Sequence, residues 1–236
     1  MITIDLSGAG TGIDFEAYIR GGFLAGTSSG GFPVFNNNPS AMSGEEIFIS
    51  YGTGAGDKYA LIHGDFEYSL VTHQITGTAV SLELGVRGSG SFDSNGYFTG
   101  GSAVVSITGL NLSDSFVQSF VAAYMAGSSA SAENLNAFAD ALDAQAQHFI
   151  GSDYGDIYTG TPFDDLIKGG AGNDILAGGG GNDKIYGGDG VDTIVFTGNE
   201  GDYVIKKLAG GVVSPTRSST SSPRGSSART RAPISC

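Results

Sequence analysis

The chain has 236 residues, with 11 basic against 24 acidic side chains and a formal net charge of −13. That surplus of carboxylates argues against nucleic acid and anionic membrane surfaces as partners, since both are polyanions. A single cysteine, Cys236, excludes an intrachain disulfide, and no apolar run reaches the roughly 18 residues of a spanning helix, so no membrane insertion is expected.

The opening MITIDLSGAG has neither a basic stretch nor an apolar core, so no cleavable general-export leader is expected. Ile2, Ile4 and Leu6 alternate with polar residues, as in a short strand. Gly12 to Leu24 is expected to be helical, with Ile13, Tyr18, Ile19 and Phe23 on one side and Gly21–Gly22 weakening its end. Gly26 to Gly44 has no periodicity and reads as loop. Within it, Gly26-Thr27-Ser28-Ser29-Gly30 fits G-x-S-x-G, but a nucleophile elbow needs a strand before it and a helix after it, and this one has neither. Strand candidates follow at Glu46–Tyr51, Lys58–His63, Phe66–Thr72, Gln74–Leu84 and Ser102–Thr108. Two helices come next. Ser113 is placed to cap the first, with Phe116, Val117, Phe120, Val121 and Tyr124 inward and Gly127 just past its end. Ser131 is placed to cap the second, with Leu135, Phe138, Ala139, Leu142 and Ala146 on one face. Residues 1–148 are thus expected to be an α+β domain, a curved antiparallel sheet packed with helices.

This part resembles the HasA family of secreted haem-acquisition proteins. The resemblance rests on Ile13-Asp14 with Phe15-Glu16-Ala17-Tyr18-Ile19, on Tyr59-Ala60-Leu61, and on the frame Glu67-Tyr68-Ser69-Leu70, His73, Gly77, Ser81-Leu82 and Gly85. Gly109-Leu110-Asn111-Leu112-Ser113 and Tyr124-Met125-Ala126-Gly127 complete it. It implies a haem held between two loops, with Tyr68 as phenolate ligand to the iron and His73 as its hydrogen-bonding partner. A phenol of pKa near 10 ligates ferric iron better once ionised, and a neighbouring imidazole favours that state. The family's other axial ligand comes from the first long loop, whereas residues 24–45 here contain no histidine.

From Gly151 to Val195 the chain reads GSDYGDIYT, GTPFDDLIK, GGAGNDILA, GGGGNDKIY and GGDGVDTIV, five units of nine residues. The sixth place is always aspartate (Asp156, Asp165, Asp174, Asp183, Asp192), and the eighth is always large and apolar (Tyr158, Ile167, Leu176, Ile185, Ile194). This G-G-x-G-x-D-x-U-x period is that of a parallel β-roll that binds calcium. Glycines turn the chain sharply, a short strand follows, and two units close one coil, so residues eighteen apart stack. Hard oxygen donors then meet between coils. The candidate ligands are the five aspartates together with turn carbonyls around Gly169, Gly172, Gly178, Gly181, Gly187 and Gly190. The first two units depart from the pattern: Gly160 is followed by Thr161 and Pro162, and Phe163 replaces glycine, so the third to fifth units are expected to bind best. The block resembles the RTX repeats of proteins exported by Gram-negative bacteria, which implies export by type I secretion machinery to the extracellular space.

Residues 151–209 are expected to form the roll and its flank. Residues 210–236, which hold Arg217, Arg224, Arg229 and Arg231 and no acid, are expected to be a disordered basic tail. The function expected from the whole is that of a non-enzymatic secreted protein. It would bind calcium in its roll and haem in its first domain for iron acquisition, with an outer-membrane haem receptor as partner. The alternative is a calcium-dependent extracellular interaction or adhesion module that binds no haem. H-E-x-x-H, the zinc-protease motif, does not occur in the chain.

Overall fold

The computed structural model describes residues 1–28, 34–35, 43–72, 74–196, 203–208 and 212–217. Strand β1 (Ile2–Asp5) leads to a short helix α1 (Phe15–Ala17), which runs on as a π-helical turn over Tyr18–Gly22. Then come β2 (Val34–Phe35), β3 (Ser43–Ser50), β4 (Lys58–Ser69), β5 (Gln74–Val86), a small hairpin of β6 (Ser91–Phe92) and β7 (Phe98–Thr99), and β8 (Ser102–Ser113). Helices α2 (Asp114–Ala126) and α3 (Ala132–Leu142) follow. The remaining strands are β9 (Gln147–Ile150), β10 (Ile157–Thr159), β11 (Leu166–Ala171), β12 (Ile175–Ala177), β13 (Lys184–Asp189), β14 (Thr193–Val195), β15 (Tyr203–Leu208) and β16 (Val212–Arg217). Among the described residues, no helix is long and apolar enough to cross a membrane.

The chain packs as two compact units, Ala17–Asp140 and Met1–Glu16 with Ala141–Cys236. Packing therefore divides it at 16/17 and 140/141, whereas the period and composition of the sequence suggested a division near 150.

In the 17–140 unit the strands lie in the order β8-β5-β4-β3-β2, antiparallel throughout. β4 is one long strand where two were expected, because Gly64 and Asp65 are absorbed in a bulge after His63 instead of ending the ladder. A Cβ at Gly64 would collide with the Thr78 carbonyl and the Phe66 ring, so the bulge depends on glycine. Both helices form where the apolar period puts them, but α3 ends at Leu142, so Ala146, expected on its apolar face, lies beyond the helix, where its carbonyl accepts the Ile2 N–H at 3.1 Å. Phe120 packs on Phe138 with ring centroids 4.5 Å apart, joining α2 to α3. Ser131 caps α3 by accepting the Asn134 N–H at 3.2 Å. Ser113 holds the N-cap position of α2 in extended backbone, but its side chain makes no capping bond. Gly127 ends α2 at φ +57°, where a Cβ would strike the Ser28 carbonyl. The helix expected over Gly12–Leu24 is shorter, because Gly21 at φ +129° breaks it and Asp14 is drawn into a strand bridge with Ile157.

The other unit is the roll. β9, β11 and β13 pair in parallel as one wall, and β10, β12 and β14 as the other. Registers such as Leu166↔Lys184 and Ile157↔Ile175 give the eighteen-residue stacking expected. The large apolar residues form two interior columns: Phe149, Ile167 and Ile185 in one, Tyr158, Leu176 and Ile194 in the other, all at most 3 % exposed. The first sixteen residues supply a coil in front of the repeats. β1 pairs in parallel with β9, setting Ile4 on Phe149, and Phe15 packs 5.9 Å from the Tyr158 ring. At the far end β16 pairs antiparallel with both β13 and β15. Val212–Arg217 thus forms a strand inside the stretch expected to be disordered. Its Val212-Val213 pair suits a strand, and Pro215 lies beyond the two residues that pair with β13. The rest of that tail lies outside the described residues.

Ile4 is fully buried, so Ile4→Ala is expected to cost about 2–5 kcal/mol. Hydrogen exchange by mass spectrometry should show faster exchange in β9 and β11. Unchanged exchange there would mean that β1 is not a coil of the roll.

Candidate functional site

The five aspartates of the repeats build the site. Their carboxylates are at most 4 % exposed. Each Oδ1 accepts a main-chain N–H from the coil before it: Asp156 N–H donates to Asp174 at 2.7 Å, Asp165 N–H to Asp183 at 3.0 Å and Asp174 N–H to Asp192 at 3.1 Å. The stacking expected of Asp165 with Asp183 and of Asp174 with Asp192 is therefore present. At the front of each column a residue outside the repeats supplies the donor. Gln147 N–H reaches Asp165 at 2.6 Å, and Ile13 N–H reaches Asp156 at 2.7 Å. A second ladder runs beside the first, with Val191 N–H donating to Asn173 Oδ1 at 2.8 Å and Asn182 N–H to Asp164 Oδ1 at 2.7 Å.

The other carboxylate oxygen distinguishes the repeats. In all five units Oδ2 abuts the first glycine (Gly151, Gly160, Gly169, Gly178 or Gly187), where an added Cβ would collide with it. In the third and fifth units Oδ2 of Asp174 and Asp192 is buried with no hydrogen-bond partner. The second glycine of those units, Gly170 or Gly188, turns at φ +107° or +110°. Burial, reinforced by the stacked neighbours Asp192 and Asp156, pushes the Asp174 carboxyl up to about 6. Burial, with Asp165 and Asp164 nearby, pushes Asp183 to about 6 as well. Orphaned, mutually repelling carboxylate oxygens suit a divalent cation. The point where a Gly169 Cβ would sit is crowded by both Asp174 Oδ2 and the Gly187 carbonyl, so two oxygens converge there with no donor between them. Among the described residues no three His, Cys, Asp or Glu side chains converge. Any ion held here would therefore need main-chain carbonyls as well, as calcium with its six to eight oxygen ligands commonly does. Gly172, Gly181 and Gly190 carry positive φ of +102°, +91° and +129° and shape the turns, each so close to the preceding coil that a Cβ would strike its backbone.

The first two units satisfy their carboxylates otherwise. Asp156 Oδ2 accepts Ser152 N–H at 2.7 Å and the Ser152 hydroxyl at 2.9 Å. Asp165 Oδ2 accepts Thr161 N–H at 2.6 Å and the Thr161 hydroxyl at 2.9 Å. The sequence pattern marks Thr161 as a departure from glycine, and Ser152 stands at the equivalent place one unit earlier. The signal was in plain view: both substitutes carry a hydroxyl.

In the 17–140 unit Tyr68 stands near the end of β4, half-buried, with its ring 6.4 Å from Phe35 of β2. The turn that follows exposes Leu70 and Val71, the latter at 90 %. His73 lies outside the described residues. Ser28 of the G-x-S-x-G stretch borders a cleft with Thr27, Tyr51, Asp57 and Lys58 and no histidine. The Lys58 ammonium there donates to the Phe23 carbonyl at 2.5 Å. His63 approaches the buried Glu46 at 3.7 Å, and Glu46 also accepts the Phe98 N–H at 2.9 Å. Burial is the main reason the Glu46 carboxyl is raised. On β9, burial and then Lys168 lower the pKa of His148, whose Nε2 is buried without a partner.

No curated protein matches the chain. Among solved structures it is similar to the apo hemophore HasA from Yersinia pestis, at 16% identity over 61% of this chain and 87% of that one, with a TM-score of 0.46. It is similar to the holo form of that hemophore at 17% identity, over 61% and 89% of the two chains, with a TM-score of 0.48. The family model for the RTX calcium-binding nonapeptide repeat matches residues 150–185, 159–194 and 169–202. The period of nine, the stacked aspartates and that match agree: residues 150–202 are a block of RTX calcium-binding nonapeptide repeats.

Proposed function

We propose that this is an exported, extracellular binding protein and not an enzyme. Its roll folds on calcium, and its 17–140 unit takes up ferric haem through Tyr68. The observation that carries the calcium part is the pair of buried, partnerless oxygens on Asp174 and Asp192. Leaving them so is costly in the ion's absence. An ion that binds only the folded roll stabilises it by mass action. Sites of this kind in extracellular modules need calcium on the order of 10⁻⁴–10⁻³ M. A cytosol poor in calcium would then leave the repeats open for passage through type I machinery.

The haem part rests on Tyr68 within the Tyr-Ser-Leu…His…Gly frame and on its setting, beside Phe35 and a turn that bares Leu70 and Val71. A porphyrin needs apolar surface next to its iron ligand, and the resemblance assigns His73, five residues on in the sequence, as the acceptor for the phenol proton. An outer-membrane haem receptor would be the partner that receives the cargo. One observation favours a second reading, a calcium-dependent adhesion module: residues 24–45 offer no histidine for the opposite axial position.

Three measurements follow. Circular dichroism in EGTA and then millimolar calcium should show β-structure gained with the ion, and an unchanged spectrum would refute calcium-driven folding. Protons should partly replace calcium. Asp174 and Asp183 are raised to about 6 in the fold, so the stability that protonation contributes is fully present below about 4 and lost as pH rises through about 6. In EGTA the roll should therefore gain structure on acidification from pH 7.5 to 5. Haemin added to the wild type should give a phenolate charge-transfer band that Tyr68→Phe abolishes, with affinity reduced at least tenfold. Equal spectra and affinities for the two proteins would leave the adhesion module as the reading.

A further inference from the structure

The five carboxylates are chemically equivalent in sequence but not in their surroundings. Asp156 and Asp165 are saturated by protein donors. Asp156 takes Ile13 N–H on Oδ1 and both the amide and hydroxyl of Ser152 on Oδ2. Asp165 takes Gln147 N–H on Oδ1 and both the amide and hydroxyl of Thr161 on Oδ2. Ser152 and Thr161 are themselves 1 % and 2 % exposed, so water does not compete for these bonds. Each hydroxyl does a second job by accepting an amide two residues on: Tyr154 N–H to Ser152 Oγ and Phe163 N–H to Thr161 Oγ1, both at 3.1 Å. Serine and threonine make such turns readily. One hydroxyl thus ties the turn backbone to the buried carboxylate, the same two elements an ion would bridge. In the third and fifth repeats the equivalent residue is glycine at positive φ, no hydroxyl exists, and the oxygen is left bare.

We propose that calcium enters the roll only from the third repeat on, and that Ser152 and Thr161 hold the first two repeats together without it. This rests on the calcium reading above and adds to it a division of labour along the roll. Residues 1–16, 147–150 and the two hydroxyl repeats form a calcium-independent seed. Its front is covered by β1 and by the Ile13 amide. Gly169 to Val195 is the segment the ion adds, coil on coil, upon that seed.

The test is hydrogen exchange by mass spectrometry on the full chain, in EGTA and in millimolar calcium. Amides of 147–168 should be protected in both, and those of 169–195 only in calcium. Ser152→Gly with Thr161→Gly restores the consensus glycine and bares both carboxylates, and it should make 147–168 calcium-dependent as well. Isothermal titration should find Asp174→Asn binding fewer ions than wild type, and Asp156→Asn binding as many. Should 147–168 of the wild type gain protection only with calcium, or Asp156→Asn lose ions as Asp174→Asn does, the seed is wrong. Wild-type exchange and ion counting carry the test even if the double glycine variant does not fold. If 169–195 ignores calcium altogether, it is the calcium reading itself that fails.

Discussion

The roll depends on a buried carboxylate that must be answered. Each aspartate of the repeats gives one oxygen to an amide of the preceding coil, and these bonds join the strand ladders in linking coil to coil. The second oxygen points at the glycine that opens its own unit, which forbids any side chain there. A carboxylate buried with one oxygen unanswered is unstable by itself. Two answers are compatible with this backbone, a cation or a hydroxyl, and the chain contains residues suited to both. The apolar columns between the walls are too short-stranded to impose order alone, since strands of three to six residues contribute few ladder bonds each.

Much of this was legible. A strict period of nine with fixed aspartate and apolar places has one compact solution, so the eighteen-residue stacking and the inward column followed directly. The helices α2 and α3 were legible for a related reason, because their apolar residues repeat at helical spacing over more than two turns. The opening coil was not. Ile2, Ile4, Ile13 and Phe15 complete the roll, yet Asp5 and Asp14 give only a single interval of nine there, and the partners of this segment come after the whole 17–140 unit. Local pattern cannot announce a partner so distant along the chain. The long β4 was read as two strands because Gly64 and Asp65 look like a turn, and only pairing with β5 reveals a bulge.

Legibility of the candidate haem ligand is of another kind. Nothing in the composition around Tyr68 singles it out. Resemblance alone proposed it, and the fold adds its location: near a strand end, against Phe35, before a turn with two bared aliphatic residues. A tyrosine in such a place has the apolar neighbours a porphyrin face requires, and equally the features of a protein-binding tip. The chemistry separates these cases, because an iron ligand must lose its phenol proton and an adhesive tyrosine need not.

The position of β1 has a consequence for how the molecule is made. Residues 1–16 are synthesised before the 17–140 unit and belong to the front of the roll, but β9, the strand that β1 pairs with, follows that unit. Residues 1–16 must therefore wait for β9 until the whole 17–140 unit has been made. Residues 17–140 are an insertion in chain order: the chain leaves the roll after residue 16, forms the other compact unit and comes back at residue 141. Severing the polypeptide at 148 to isolate a first domain would strip the roll of its cover and leave Ile2, Ile4 and Phe15 on a fragment that lacks their natural companions.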